Sequence, residues 1–278
     1  FVGRVKISQN FESIKKIINF LRKNIPERLI NAKSFRVTCS RYGYHNFRSI
    51  DVERLVGEYL YENYKIPVSL KDFEKNLFIK IVGSNAYILL QLNKTPLDKR
   101  FYKLFNHPTA IDPILAYGMI RLSKIKRNQI IVDPMCGSGT ILIEAALEFP
   151  NAKYFGLDIF ERFVKGARMN AKAAKVRLIK FKVGDCRCLE KYFSKIDRII
   201  TNPPYGVKIG REETVKALYF KFVESAARVI DKGRIVLTVL KAGVFRNIIF
   251  KTKFFRISEE RVVRYGGLYP NLFVLERI

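Results

Sequence analysis

Two short stretches, Asp133-Pro134-Met135-Cys136-Gly137-Ser138-Gly139-Thr140 and Asn202-Pro203-Pro204-Tyr205, concentrate the side chains that could do chemistry. The first continues Gln129-Ile130-Ile131-Val132, an apolar run ending in a carboxylate, which predicts a buried strand of a parallel sheet. After it, Ile141, Leu142, Ala145, Ala146 and Phe149 recur at helical spacing until Pro150. The loop therefore joins the carboxyl end of a strand to a helix, where open α/β sheets bind ligands. Gly137 and Gly139 permit a tight turn and a close ligand approach. The third glycine of a dinucleotide loop is missing, because Leu142 stands in its place. Asp133 would repel a pyrophosphate and suits a cation, such as the sulfonium and ammonium of S-adenosylmethionine. Asp133, Cys136, Gly137, Gly139 and Thr140 are the candidate cofactor residues of this loop.

The tetrapeptide follows a second predicted strand over 197–201. Two consecutive prolines remove two backbone donors, fix φ twice and hold Asn202 extended. A segment this stiff presents the Asn202 side-chain oxygen and the Pro203 carbonyl as paired acceptors for an exocyclic –NH2 group. Such positioning aims the amine lone pair at a methyl group. Tyr205 offers an aromatic face for an extruded base. Asn202, Pro203 and Tyr205 are the catalytic candidates, and Asn202 also borders the cofactor.

Two further strands are predicted over 153–158 and 179–183, ended by Asp158 and by Gly184-Asp185. Asp158 suits a pair of ribose hydroxyls. Asp185 suits an adenine amino group, with Cys186 beside it. Asp133, Asp158, Asp185 and Asn202 thus end consecutive strands and place four polar groups on one sheet edge. Cys39, Cys136, Cys186 and Cys188 show no C-x-x-C spacing, and the chain has two histidines, so neither a metal site nor a disulfide framework is expected.

Together the two motifs resemble the class I, amino-directed S-adenosylmethionine-dependent methyltransferases. More narrowly, they resemble the tRNA guanosine-N2 methyltransferases that carry an RNA-binding THUMP domain, over the chain from about Ala32 to the end. The resemblance implies an α/β fold, a Rossmann-like class I methyltransferase sheet preceded by an α+β THUMP domain. It implies methyl transfer to the N2 amine of a guanosine in tRNA. Position 6 of the acceptor stem is the expected site, because the Met-Cys-Gly-Ser-Gly-Thr loop and the His107-Pro108-Thr109-Ala110 approach are closer to that branch; position 10 is the alternative. It also implies that Thr109 touches the cofactor carboxylate. Adenine-N6 methylation uses the same tetrapeptide logic, and an RNA-binding protein with an inactive methyltransferase fold is the non-enzymatic alternative.

The 278 residues hold 52 Lys and Arg against 25 Asp and Glu, a net charge of +27. An excess of this size implies a polyanionic partner. It is spread along the chain, with 17 basic and 8 acidic residues within 1–95, so both halves are candidates for phosphate contact. No apolar run approaches the ~18 residues of a membrane span, and no signal peptide is evident. The scattered thiols fit a reducing cytoplasm, and a monomer is expected.

The sequence opens at Phe1 without a Met, and residues 1–31 are expected to be the end of a truncated ferredoxin-like domain. Residues 32–93 are expected to form the THUMP-like domain: a strand from Ser34 to Arg41, a polar loop from Gly43 to Ser49, a helix from Asp51 and a hairpin across Gly83-Ser84-Asn85. Arg36, Arg41, Tyr44 and Arg48 are its candidate RNA contacts, which by the resemblance grip the 3′ end of tRNA. Residues 94–106 are expected to be a polar linker and residues 107–278 the methyltransferase domain. Gly206 to Arg211 is expected to be a mobile loop over the substrate.

Overall fold

The computed structural model describes residues 1–93, 96–206, 212–264 and 267–278. The chain divides after Pro96 into two units. The first contains β1 (Gly3–Lys6), α1 (Glu12–Asn24), α2 (Glu27–Ile30), β2 (Phe35–Tyr42), α3 (Ser49–Tyr64), β3 (Lys75–Val82) and β4 (Asn85–Gln91). Its strands lie in the order β1-β4-β3-β2, with β2 and β3 parallel and the other pairs antiparallel. Ile14, Ile17 and Leu21 make one face of α1, and they share a core with Val52, Val56 and Leu60 of α3 and with Phe35, Leu77 and Ile88 of the sheet. Strand β1 pairs with β4 through Val5 and Ala86. The structure therefore draws no boundary at residue 31: β1 and α1 bury their apolar faces in the same sheet and core as the segments after them. Helix α3 begins at Ser49, two residues before its expected start. Asp51 instead accepts the Arg48 backbone N–H at 2.8 Å, closing the first turn from inside the helix.

The second unit contains α4 (Pro113–Ser123), β5 (Ile130–Asp133), α5 (Thr140–Glu148), β6 (Lys153–Asp158), α6 (Glu161–Ala173), β7 (Ile179–Val183), a 3-10 turn (Cys186–Lys191), β8 (Arg198–Thr201), α7 (Glu212–Val229), β9 (Arg234–Val239), α8 (Ala242–Thr252), β10 (Phe255–Val262) and β11 (Asn271–Arg277). Helix α8 was not expected. The strand order is β10-β11-β9-β8-β5-β6-β7, and β11 runs antiparallel to both its neighbours. The central strands are apolar throughout because both sheet faces are covered. Along β9 and β11, Val236, Leu272 and Val274 enter one core, while Ile235, Leu237, Phe273 and Leu275 enter the other. The first core carries α4, α5 and α6; the second carries α7 and α8.

The expected linker over 94–106 is shorter than its polarity suggests. Arg100 pairs with Glu144 at 2.8 Å, the buried Tyr102 hydroxyl donates to the same carboxylate at 2.6 Å, and Asn170 holds the Phe105 backbone at both N and O. The aromatic residues of this stretch dock it onto α5 and α6. No helix among the described residues is long and apolar enough to cross a membrane.

Candidate active site

Because β5, β6, β7 and β8 are parallel neighbours, their carboxyl ends line one edge of the sheet. The glycine loop turns there with Gly137 at φ +50° and Gly139 at φ +79°. Gly139 begins α5 in the left-handed region, and a Cβ on it would stand 3.1 Å from both Ala167 Cβ and Phe181 Cζ. The loop closes on itself through Gly139 N–H to the Cys136 carbonyl, and it ties to β6 through Cys136 N–H to the Leu157 carbonyl, each at 2.8 Å. Asp158 accepts the Gly137 N–H at 2.9 Å and the Phe160 N–H at 3.0 Å. Each of its oxygens takes one backbone donor and keeps a second lone pair, as a vicinal diol requires.

A cavity of about 320 Å³ lies against the loop, lined among others by His107, Thr109, Asp133, Gly137, Thr140 and Asn202, with Cys136 in the wall. Asp133 is 1% exposed. Burial pushes its carboxyl up to about 7, against the lowering effects of the Thr201 hydroxyl and the Met135 N–H. A carboxylate desolvated beside a cavity suits a cationic occupant. His107, expected only as part of the approach to the sheet, lines this cavity as well. Its Nδ1 accepts the Thr109 N–H at 3.1 Å, and its ring packs edge-on to Phe163 at 4.1 Å. Burial lowers its pKa, which favours the neutral ring with the proton on Nε2.

Of the expected cofactor residues, Gly139, Asp158, Asp185 and Cys186 do not line this cavity. The Asp185 carboxylate, expected to meet an adenine, is held by Arg187 at 2.5 Å, and Arg187 keeps its pKa below the usual carboxylate value. Burial raises the thiols of Cys136 and Cys186, the latter to about 12, so neither is a nucleophile near neutral pH.

Asn202 reaches the same cavity as Asp133 from the end of β8. The tetrapeptide is fixed from behind, where the buried Tyr219 hydroxyl donates to the Pro204 carbonyl at 2.7 Å. Tyr205 is not an open stacking face in this structure. It is half-buried, and its hydroxyl donates to Asn202 Oδ1 at 2.8 Å and lies 3.0 Å from Thr238 Oγ1. On its far side a second cavity of about 340 Å³ is lined by Tyr205, Val215, Lys216, Tyr219 and Lys241. The expected mobile loop after Gly206 falls on residues 207–211, outside the described residues.

An RMKL-like methyltransferase domain is matched by residues 100–271, and a THUMP domain by residues 9–91. The chain belongs to the THUMP-containing methyltransferases. It is 36% identical over 252 residues to a tRNA (guanine(6)-N2)-methyltransferase from Thermus thermophilus, covering 90% of this chain and 74% of that protein. Against the enzyme of the same description from Methanocaldococcus jannaschii it is 32% identical, covering 87% and 76%. The crystal structure of TrmN from Thermus thermophilus matches with a TM-score of 0.80 at 32% identity, over all of this chain and 82% of that one.

Methyltransferases of this family depend on S-adenosylmethionine, and the buried Asp133 carboxylate and the open turn at Gly137, which share the cavity wall, fit it. Asn170 is the other residue missed in sequence. It lies on the buried face of α6 with Phe163 and Ala167, donates to the Ser138 carbonyl at 3.0 Å and holds Phe105, so it couples the approach segment to the glycine loop. A lone amide in an apolar helix face is the signal that marks it, because a buried amide must find partners.

In the THUMP unit of this methyltransferase, the four candidate RNA residues separate into two pairs. Arg36 stacks over Phe73 at 4.1 Å and Arg41 over Phe47 at 5.5 Å, both half-buried. Both guanidinium groups pack against aromatic rings of their own unit. Tyr44 is 75% exposed, and Arg48 is exposed beside Asp51 at 3.3 Å.

Proposed function

We propose that this chain methylates the exocyclic N2 of a guanosine in tRNA, at position 6 of the acceptor stem. The observation that carries the reading is the shared cavity. Asn202, at the head of Asn-Pro-Pro-Tyr, opens onto the same space as Asp133, Gly137 and Thr109. Position 6 is supported by the activity of the relatives that resemble the chain over most of its length.

S-adenosylmethionine, when bound, supplies a methyl group activated by a sulfonium. Asp133 holds its cationic end, Thr109 its carboxylate and Asp158 its ribose. Asn202 Oδ1 and the Pro203 carbonyl accept the two N–H bonds of the guanine amine and fix the direction of its lone pair. Rigid prolines hold these acceptors in place before the base arrives, so orientation costs little at the moment of reaction. The amine needs no base before attack: as its lone pair forms the N–C bond, the methyl's bond to sulfur would break and leave a neutral thioether, and the amine proton then leaves to water. Tyr205 turns its ring to the base, and Tyr44 and Arg48 contact the 3′ end of the tRNA.

Transcribed tRNA is incubated with labelled S-adenosylmethionine, digested, and mapped by nucleoside mass spectrometry. N2-methylguanosine at position 6, absent when that nucleotide is replaced by adenosine, is the expected result. Methylation at position 10, or methyladenosine, would overturn the assignment. Asn202→Ala is expected to lower turnover at least a hundredfold while cofactor affinity, measured by calorimetry, stays within a fewfold.

A further inference from the structure

Strand β9 is an apolar run, Ile235-Val236-Leu237-Thr238-Val239, with one hydroxyl in it. Thr238 is fully buried. In the parallel register of β8 with β9, Thr201 pairs with Leu237, so the chain beyond β8 brings Asn202 level with Thr238. The Thr238 hydroxyl donates to Asn202 Oδ1 at 2.5 Å, and the Tyr205 hydroxyl donates to the same oxygen at 2.8 Å.

An amide oxygen has two lone pairs. Thr238 engages one, and the single Tyr205 proton is shared between the other and Thr238 Oγ1 at 3.0 Å, so a substrate amine competes with Tyr205 for the second. Thr238 is β-branched, fully buried and rooted in a central strand, and its side chain has little freedom to leave. Tyr205 is half-buried on the segment that ends the tetrapeptide.

We propose that Thr238 is a positioning residue for the amine transfer. It tethers Asn202 through one lone pair of the side-chain oxygen and holds the plane of the amide. The Tyr205 hydroxyl occupies the other lone pair until the incoming amine takes its place. The displaced tyrosine is then free to lay its ring on the base. This inference rests on the assignment of Asn202 as the amine acceptor.

The test compares the full-length Thr238→Val and Thr238→Ser variants by steady-state kinetics on tRNA, with cofactor affinity and melting temperature measured alongside. Valine keeps the branched shape and removes the donor; serine keeps the donor. Thr238→Val is expected to lower kcat about tenfold, the effect of losing roughly one hydrogen bond from the reacting geometry, with cofactor affinity within twofold. Thr238→Ser is expected to keep kcat within about threefold of the parent. On an Asn202→Ala background, Thr238→Val is expected to cost nothing further, because the group it positions is gone. A Thr238→Val enzyme with unaltered kcat would sink the tether. So would a parallel fall of kcat, cofactor affinity and melting temperature in both variants, which is the mark of packing alone. Full turnover by Asn202→Ala would instead overturn the amine-acceptor reading.

Discussion

At the scale of single residues, the site depends on a carboxylate held in the wrong solvent. Asp133 is buried, and burial pushes its carboxyl from the ordinary carboxylate range up to about 7. A raised acid is a cost to the ionised fold, so without ligand the stability falls as pH rises between about 4 and 7, and is level above that. A cation in the cavity reverses the preference and draws the proton off. Calorimetry of S-adenosylmethionine binding should therefore show affinity rising from pH 5.5 to 7.5, by up to about tenfold per pH unit at the acid end, with proton release. Asp133→Asn should bind roughly ten- to a hundredfold more weakly near pH 7.5 and with little pH dependence. A wild-type affinity that is flat across this range would remove Asp133 from the cation site. The strand-end residues Asp133, Asp158 and Asn202 were legible in sequence because each follows its own apolar run. Thr238 and His107 were not assigned their functions, because their partners lie 36 residues away across β8 and β9, or in a ring contact with α6.

At the scale of elements, the approach segment and the glycine loop are held by α6. Gly166 lies inside that helix, where alanine would be preferred by about 1 kcal/mol. A Cβ there would stand 2.1 Å from Phe105 Cδ1. The Phe105 ring must turn or its main chain must shift, and Asn170 holds that main chain at 2.8 and 2.9 Å. The clash therefore passes along the chain to His107 and Thr109, which line the cavity. Overpacking costs of about 1–3 kcal/mol exceed the propensity gain. Gly166→Ala should lower the melting temperature by a few degrees and weaken cofactor binding several-fold; a more stable variant with parental affinity would show that the segment adapts. Strands β5 to β8 were readable from short apolar runs, and helix α5 from its apolar spacing. The docking of residues 100–106 was not, since Arg100, Tyr102 and Phe105 read as a polar connector until Glu144 and Asn170 are brought beside them. The pairing of β1 was not readable for a related reason, since its ladder partner β4 lies some eighty residues later.

At the scale of the whole molecule, the net charge of +27 governs how the enzyme meets a polyanion. Phosphate contacts release counterions, so the affinity for tRNA should fall by roughly a hundredfold or more between 50 and 200 mM salt. Cofactor binding in a buried pocket should move little over the same range. The two exposed candidates of the THUMP unit can then be told apart by the slope of the log–log salt plot. Arg48 is a cation, so Arg48→Ala should weaken binding and reduce the slope by about one phosphate equivalent. Its pairing with Asp51 does not hold it back, because an exposed ion pair at 3.3 Å is weak and yields readily to a phosphate. Tyr44 carries no charge, so Tyr44→Ala should lose the ~1–3 kcal/mol of a stacked base while leaving the slope unchanged. Arg36 and Arg41, stacked on Phe73 and Phe47, should behave differently again: their loss should lower the melting temperature with only a secondary effect on RNA affinity. Filter binding across a salt series, with melting curves for the same four variants, checks all of this. An Arg36→Ala protein of normal stability whose salt slope drops by one would return that residue to the RNA surface, and would show that its stacking is released when the RNA docks.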